Sequence, residues 1–173
     1  VLTGGAERVP NSSEIFCFDD TWVHRGNTWE LAETGPPRAE RHTMAVDLAR
    51  NRLVLVCEQA PGTWEWDGVR WQRISSSPAP PRGPTRLVYE EHLARMLAIV
   101  ADPASPTLQS WIWDGGTWTH LLTPTAPRRG GFDAVYDDRR DRVVLFLGPD
   151  PSTPGSFDET WEWTGHAWTR LSL

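Results

Sequence analysis

Arginine is the residue type whose spacing in this sequence most directly indicates a chemistry. The chain has no lysine, so all 17 of its Lys/Arg residues are arginine. Because a guanidinium forms bidentate hydrogen bonds with a carboxylate, arginines brought together would bind an acidic ligand. Alternatively, each pair braces neighbouring structural elements. The candidate ligand-binding residues recur at intervals near prolines: Arg38 and Arg41, Arg82 and Arg86, Arg128 and Arg129.

Residues that ligate metals or act as catalytic groups do not form a recognisable set. The acidic pairs Asp19-Asp20 and Asp158-Glu159 offer fewer oxygens than a calcium loop needs, and they fit turn and strand-entry positions. Cys17 and Cys57 are interpreted as buried thiols, with a bridge between them left open. We therefore predict no metal, no cofactor and no catalytic residue. No metal-ligand spacing such as His-x-x-x-His relates the five histidines, His24, His42, His92, His120 and His166.

Tryptophan reveals the elements that must position these side chains. All 11 tryptophans fall into one repeated pattern, in which the first and last are seven residues apart and a middle one follows the first by two. In the first unit His24 takes the middle position. We predict that these residues form the core of a structural repeat. They are Trp22 and Trp29; Trp64, Trp66 and Trp71; Trp111, Trp113 and Trp118; and Trp161, Trp163 and Trp168.

Each complete unit is predicted to contain two hairpins. The second hairpin lies between the first and last tryptophans, and its turn carries a glycine, as in Asp67-Gly68. In the first hairpin an acid is followed five residues later by arginine, which predicts a bracing ion pair. These pairs are Asp47 with Arg52, Glu90 with Arg95, and Asp137 with Arg142.

The second strand of each unit is apolar on both faces, as in 96–100, which predicts a sheet packed between two other sheets. Stacking such sheets around an axis gives an all-β fold, a β-propeller of four-stranded antiparallel blades. The first unit lacks its innermost strand, so the chain holds about 3.75 blades of a partial or open ring. We predict a single propeller segment, 1–173, with blades near 1–33, 40–76, 84–123 and 130–173.

The repeat resembles the kelch repeat, in the degenerate bacterial form related to the propeller of galactose oxidase. The resemblance rests on Gly4-Gly5 after a strand, Asp20-Thr21-Trp22, Pro37-Arg38 and Glu159-Thr160-Trp161. The later units depart from the kelch pattern because they lack the diglycine. The resemblance implies a ring of six or seven blades, of which this chain would be the C-terminal part, and an affinity for acidic peptides. The resemblance to galactose oxidase also implies a copper site with tyrosine ligands. Tyr89 and Tyr136, however, occupy the same position of the repeat, which favours a role in the core for both.

The leading functional prediction is a non-catalytic kelch-type scaffold that binds a protein, a possibly acidic peptide or another ligand. The binding surface would be the links from strand two to three and from strand four to the next strand one, whose lengths vary. The alternatives are the non-catalytic part of a larger enzyme, such as a copper oxidase, and a carbohydrate-binding propeller with exposed tryptophans.

Charge and hydropathy limit the partners. The net charge of −6 argues against nucleic acid, and the longest apolar run, 96–101, is too short for a membrane span. An uncovered blade face predicts self-association. The sequence does not indicate a cellular compartment.

Overall fold

A computed structural model of the chain describes residues 1–3, 6–8, 15–34, 42–57, 62–74, 78–128, 131–149 and 158–172. These residues form short β-strands and turns, with no helix among them. The described residues accordingly include no helix that could span a membrane.

The strands follow one another in the order that the repeat predicts. The first are β1 (Leu2–Thr3), β2 (Ala6–Arg8), β3 (Ile15–Cys17), β4 (Asp20–Arg25) and β5 (Thr28–Thr34). The next are β6 (His42–Asp47), β7 (Arg52–Cys57), β8 (Thr63–Trp66) and β9 (Trp71–Ile74). They are followed by β10 (Thr85–Glu90), β11 (Arg95–Val100), β12 (Gln109–Trp113) and β13 (Trp118–Leu121). The last are β14 (Phe132–Asp137), β15 (Arg142–Leu147), β16 (Glu159–Trp163) and β17 (Trp168–Arg170).

Four antiparallel sheets, named blades 1–4 in chain order, make up the architecture. Blade 1 has the order β1-β4-β5, whereas blades 2, 3 and 4 each contain four consecutive strands, β6–β9, β10–β13 and β14–β17. Strands β2 and β3 form a separate hairpin. Three four-stranded sheets and one three-stranded sheet are the incomplete propeller that the sequence predicts, and the predicted fold class is confirmed.

In blades 2 and 3 an aspartate side chain, Asp67 or Asp114, closes the turn between strands three and four. The Asp67 carboxylate accepts the backbone N–H groups of Val69 and Arg70, each at 2.8 Å. These hydrogen bonds favour the charged form and lower the pKa of Asp67. Gly68 adopts a φ of 99°, a region that favours glycine. The Asp-Gly turn thereby fixes the register that places Trp66 opposite Trp71.

Blade 3 shows why the second strand is apolar on both faces. All five residues of 96–100 are 0% exposed. Met96, Ala98 and Val100 belong to the apolar cluster shared with Val54 of blade 2. The alternate residues, Leu97 and Ile99, belong to the cluster shared with blade 4. Each face of the strand therefore packs against a different neighbouring blade.

Indole N–H groups join each blade to the blade before it. In three interfaces the last tryptophan of a unit donates to the hydroxyl that directly precedes the first tryptophan of the previous unit. Because a buried indole nitrogen needs an acceptor, this hydroxyl position is part of the repeat. The three bonds are Trp71 Nε1 to Thr21 Oγ1 at 2.8 Å, Trp118 Nε1 to Thr63 Oγ1 at 2.7 Å, and Trp168 Nε1 to Ser110 Oγ at 2.9 Å.

Blade 4 leaves apolar side chains uncovered on the face turned away from blade 3. Phe146 is 49% exposed, whereas Ile99, which has the same position in blade 3, is 0% exposed. Val135 is 63% exposed, and its equivalent Val88 is 5% exposed. The positions that blade 4 covers on blade 3 are thus accessible on blade 4 itself.

The hairpin ion pairs differ from the sequence-based prediction in two of the three units. The prediction is right for Glu90 and Arg95 but wrong for Arg52 and Arg142, which donate to backbone carbonyl groups instead. In blades 2 and 4 an arginine three residues after the acid lies closer to it, and Leu93 occupies that position in blade 3. The observed pairs are Asp47 with Arg50, Glu90 with Arg95 and Asp137 with Arg140.

Candidate functional site

The variable links of blade 3 are held together by backbone hydrogen bonds. In the link between strands two and three, Ser105 donates its N–H to the Asp102 carbonyl at 3.0 Å. Leu108 then donates its N–H to the carbonyl of Pro127, in the link to blade 4, at 2.8 Å. The two links that the sequence predicts to carry recognition are therefore fixed side by side.

An open pocket of about 170 Å³ lies between these links and the outer strands of blade 3. We name it the blade-3 pocket. Polar and apolar side chains both contribute to its wall, as in many small-molecule sites. Its principal lining residues are Ser105, Thr107, Gln109, His120, Leu121 and Leu122.

Several polar groups of the blade-3 pocket keep hydrogen-bonding capacity. The Gln109 amide donates to Asp102 at 2.8 Å and accepts from Trp111 at 3.1 Å, which leaves one amide proton and one lone pair. The His120 side chain is exposed. Its imidazole stacks on Trp111, with ring centroids 4.7 Å apart and planes inclined by 28°. A ligand in this pocket would meet both donors and acceptors beside a rigid aromatic pair.

The Gln109–Trp111–His120 group is one version of an arrangement that recurs between blades. The first tryptophan of a unit donates its indole N–H to the side chain two residues earlier, because residues i and i+2 share a strand face. The bonds are Trp22 to Asp20, Trp111 to Gln109, and Trp161 to Glu159. In blade 4 Arg170 takes the position of His120 and forms an ion pair with Glu159 at 3.1 Å.

The tryptophans differ in accessibility according to their repeat position. The middle and last tryptophans of blades 2–4 are buried, and so is Trp111. The remaining first-position residues, Trp22, Trp64 and Trp161, are partly buried, and Trp29 of blade 1 is 52% exposed. The accessible indole surface among the described residues therefore lies chiefly at the first position of the repeat and on blade 1.

A second, smaller pocket of about 50 Å³, the blade-2 pocket, lies between the links of blades 2 and 3. The link from β9 to β10 forms much of its wall, and Gly62 stands where β8 begins. Both pockets lie on the links that vary in length. The lining residues of the blade-2 pocket include Cys57, Gly62, Pro80, Pro81, Arg82 and Thr85.

The candidate arginines have different surroundings. Arg82 is exposed and lines the blade-2 pocket. Arg86 instead joins two blades, since its Nε lies 2.9 Å from Asp133 Oδ1 and its guanidinium lies 5.7 Å from the Phe132 ring centroid. The backbone of Arg128 forms a bridge with Thr107. Arg38, Arg41 and Arg129 lie outside the described residues.

The two tyrosines brace the preceding blade through their hydroxyl groups. Tyr89 accepts the N–H of Ala49 at 3.0 Å, and Tyr136 accepts the N–H of His92 at 3.4 Å. Tyr136 also donates to Asp141 at 2.6 Å, and this carboxylate raises the pKa of the tyrosine. The equivalent repeat positions thus perform equivalent structural roles.

Other ligand-forming residues are dispersed. No group of three His, Cys, Asp or Glu side chains suited to a metal ion occurs in the part of the chain that the structure describes. Cys57 is buried in the apolar cluster of blade 2, and the side chain of Cys17 lies outside the described set.

Comparison with known proteins supports the fold. Neither a protein-family model nor a curated protein sequence matches the chain, so the kelch resemblance stays an expectation. Among similar solved structures is a mutant of the Aleuria aurantia lectin in complex with alpha-methyl-L-fucoside, with a TM-score of 0.52 and 10% identity. The match covers 99% of this chain and 62% of that lectin. The chain has the fold of a β-propeller and spans less than two thirds of the lectin's length.

Proposed function

We propose that this chain is a non-catalytic binding propeller and that its ligand is a carbohydrate held in the blade-3 pocket. The observation that carries the proposal is the combination of polar and apolar groups there. Gln109 and His120 offer hydrogen bonds, while Leu121 and Leu122 offer apolar surface. A sugar ring has hydroxyl groups at its edge and C–H groups on its faces, and it needs both kinds of contact.

The fold and the rigidity of the pocket support this function. The similar lectin is named in complex with a fucoside, so a propeller of this kind is compatible with sugar binding. Stacking of His120 on Trp111 and the hydrogen bond from Trp111 to Gln109 hold the polar groups in place before a ligand arrives. Such pre-organisation lowers the entropic cost of binding.

A glycan array followed by calorimetry tests the proposal. We expect wild-type protein to bind a defined set of glycans, and His120→Ala to weaken that binding by about tenfold or more because a polar contact and the stacked ring are lost. His166→Ala is the matched control, since His166 is an exposed turn residue of blade 4 outside the pocket lining. Absence of glycan binding by the folded protein, or equal losses in the two variants, would exclude this site.

A second candidate, the binding of an acidic peptide, is favoured by the position of Arg82. Its exposed guanidinium stands at the blade-2 pocket, on the link surface that the sequence singled out. A carboxylate in that pocket would gain a charge-assisted hydrogen bond.

A further inference from the structure

Blades 1 and 4 each expose a face whose equivalent is buried on the blades between them. On blade 4 it is the face that, in the repeat, receives the next blade, and it carries the exposed Phe146 and Val135. On blade 1 it is the face that, in the repeat, contacts the preceding blade. There His24 is exposed and Trp29 is 52% exposed, although the tryptophans at these two positions of blades 2–4 are buried. The two exposed faces are therefore the two different sides of one repeated interface.

The exposed face of blade 1 carries the aromatic pair of that interface. The rings of His24 and Trp29 have centroids 5.0 Å apart and planes inclined by 49°. The equivalent rings of blade 4, Trp163 and Trp168, have values of 5.3 Å and 46°. In blade 4 these two residues donate hydrogen bonds to blade 3. Blade 1 thus holds its pair in the arrangement that forms an interface elsewhere in the chain.

The exposed face of blade 4 carries a hydroxyl at the position that accepts the last tryptophan of the next unit. This residue is Thr160, which directly precedes the first tryptophan of blade 4. Thr160 is only partly buried, whereas its three equivalents are at most 2% exposed and each accepts an indole N–H. Blade 4 therefore presents an acceptor that fits a further last-position tryptophan. The three equivalents are Thr21, Thr63 and Ser110.

An acid and an arginine on the same face of blade 4 extend the match. Glu162 pairs with Arg140, just as the equivalent Glu65 pairs with Arg50 on blade 2. On blade 2 both side chains also bond blade 3. The Arg140 side chain is 53% exposed, against 31% for Arg50. Blade 4 therefore repeats the charged group of an occupied interface in a more accessible form.

Blade 1 has the two residues that this charged group would contact. Between blades 2 and 3, Trp113 donates its indole N–H to the acid, and the Gly115 carbonyl accepts from Arg50 at 3.2 Å. The residues at these positions of blade 1 are His24, whose ring also donates N–H, and Gly26. A Cβ atom placed on Gly115 would meet the Arg50 guanidinium, whereas one placed on Gly26 would meet no atom of the described chain within 4 Å. The place of an arginine beside Gly26 is thus open.

We propose that blade 1 of one copy of this chain docks on blade 4 of a second copy and continues the propeller from chain to chain. The partner is a second copy because its blade 1 carries a donor or acceptor for each group that blade 4 presents. Such a contact joins two different surfaces, and it closes into a ring where the rotation per blade allows. None of these residues lines the blade-3 pocket, so the contact is independent of the proposed function. The expected pairs are Trp29 with Thr160, His24 with Glu162, and the Gly26 carbonyl with Arg140.

Sedimentation velocity with two variants, alone and mixed, tests the contact. Phe146→Glu disables the blade-4 face and Trp29→Ala disables the blade-1 face, and we expect each variant alone to lose the self-association of wild type. An equimolar mixture should form a 1:1 heterodimer, because the intact blade 4 of Trp29→Ala receives the intact blade 1 of Phe146→Glu. Val69→Ala, at an exposed turn of blade 2, is the control and should associate like wild type.

A conservative variant tests the hydroxyl itself. Thr160→Val keeps the shape of the side chain but removes the acceptor for Trp29, and it should weaken self-affinity by about tenfold or more. Thr119→Val makes the same change at an exposed position of blade 3 and should have no effect. Circular dichroism reports whether each variant is folded.

Three results would overturn the proposal. The first is a wild-type chain that stays monomeric at high concentration. The second is association that Phe146→Glu abolishes and Trp29→Ala retains, which would indicate that two blade-4 faces pair with each other. The third is a mixture of the two variants that forms no heterodimer.

Discussion

Trp163 of blade 4 donates its indole N–H to Glu90 Oε1 of blade 3 at 3.0 Å, and both side chains are buried. One interface earlier, the equivalent Trp113 donates to Glu65 at 3.2 Å. Glu65 and Glu90 are not equivalent, because Glu65 lies on the third strand of its blade and Glu90 lies on the first. In blade 3 the residue equivalent to Glu65 is Ile112, whose side chain has no hydrogen-bond acceptor. The indole hydrogen bond is therefore present in both interfaces, but its acceptor lies on the third strand in one and on the first strand in the other.

The arginine that contacts the buried acid also occupies different positions in blades 2 and 3. In blade 2, Arg50 pairs with Asp47 and Glu65, and it also donates to the Gly115 carbonyl of the next blade at 3.2 Å. In blade 3 the corresponding connection comes from a different position: Arg95 pairs with Glu90 and donates to the Gly165 carbonyl. Each of these two interfaces thus contains one arginine that joins an acid of its own blade to the turn of the next.

The first prediction concerns pH. Burial raises the pKa of Glu90 above its ordinary value, and the ion pair and hydrogen bond with Arg95 only partly oppose this effect. The folded state then binds the Glu90 proton more tightly than the unfolded state does. Stability contributed by this group is present at low pH and is lost as pH rises from the unfolded pKa through the folded pKa.

Glu90→Gln should therefore remove that pH dependence while keeping an oxygen that accepts from Trp163. The measurement is urea unfolding of both proteins over roughly pH 4 to 7, a range that begins near the ordinary glutamate pKa. We expect the stability of wild type relative to Glu90→Gln to decline as pH rises. A constant difference over the whole range would contradict the assignment.

The second prediction tests the bonds between tryptophan and hydroxyl groups. Thr63→Val keeps the shape of its side chain but leaves the buried Trp118 N–H without an acceptor, and we expect a loss of about 1–3 kcal/mol. Trp118→Ala also creates a cavity and should cost about 3–5 kcal/mol, as should Trp71→Ala. Trp29→Ala, at a half-exposed position, should cost less. Calorimetric unfolding measures all four, and equal losses for Trp29→Ala and Trp118→Ala would contradict the burial pattern.

Much of this architecture is predictable because the repeat is local. Constant spacing between Trp66 and Trp71, with glycine in the turn, fixes the hairpin register, and short antiparallel strands in order then leave few topologies. The partners of charged groups are less predictable. The turn brings the third residue after the acid close to the carboxylate, so Asp47 bonds Arg50 instead of Arg52. Blade 3 has the same positive φ in this turn but Leu93 at that position, and Glu90 bonds Arg95. That geometry depends on the backbone conformation, which side-chain spacing alone does not reveal.

For the candidate sites, the sequence predicts the location but not the roles of the individual residues. The varying lengths of the links in blades 2 and 3 predict a recognition surface there, and both pockets lie on these links. The roles of Gln109 and Gly62 were missed, although the sequence contains a signal: the residue two before the first tryptophan is Asp20, Gly62, Gln109 or Glu159. Only the hydrogen bonds show that this position serves the indole, and hence that glycine there leaves Trp64 unsatisfied.

The third prediction follows from the linked changes in blade 3. In blade 2 the turn between strands one and two contains Arg50, and the third strand contains its ion-pair partner Glu65. In blade 3 the equivalent residues are Leu93 and Ile112, and neither is charged. Ile112→Glu alone should be destabilising because it buries a carboxylate without a partner. Adding Leu93→Arg should restore part of the loss, with a coupling energy of about 0.5–3 kcal/mol. A double-mutant cycle measures this term, and strictly additive effects would contradict a direct pairing.

The fourth prediction concerns the uncovered face of blade 4. Phe146 and Val135 present apolar surface at positions that are buried in blade 3. We expect the chain on its own to self-associate through this face, and Phe146→Glu to shift it towards monomer. Leu48→Glu makes the same change at an exposed turn of blade 2 and serves as the control. Sedimentation velocity measures the effect, and a wild-type protein that stays monomeric at high concentration would contradict it.

The fifth prediction separates binding from bracing among the candidate arginines. Arg86 already uses its guanidinium on Asp133, whereas Arg82 is exposed at the blade-2 pocket. If the link surface binds acidic peptides, Arg82→Ala should weaken the affinity for a fluorescein-labelled glutamate-rich peptide by about tenfold, the value of one charge-assisted hydrogen bond. Arg86→Ala should leave the affinity nearly unchanged, since that side chain already forms an ion pair with blade 4.

Fluorescence anisotropy measures the affinity of both variants, at fixed ionic strength because electrostatic binding weakens with salt. Equal losses in the two variants would indicate attraction by overall charge, and no binding by wild type would remove the acidic peptide as a ligand.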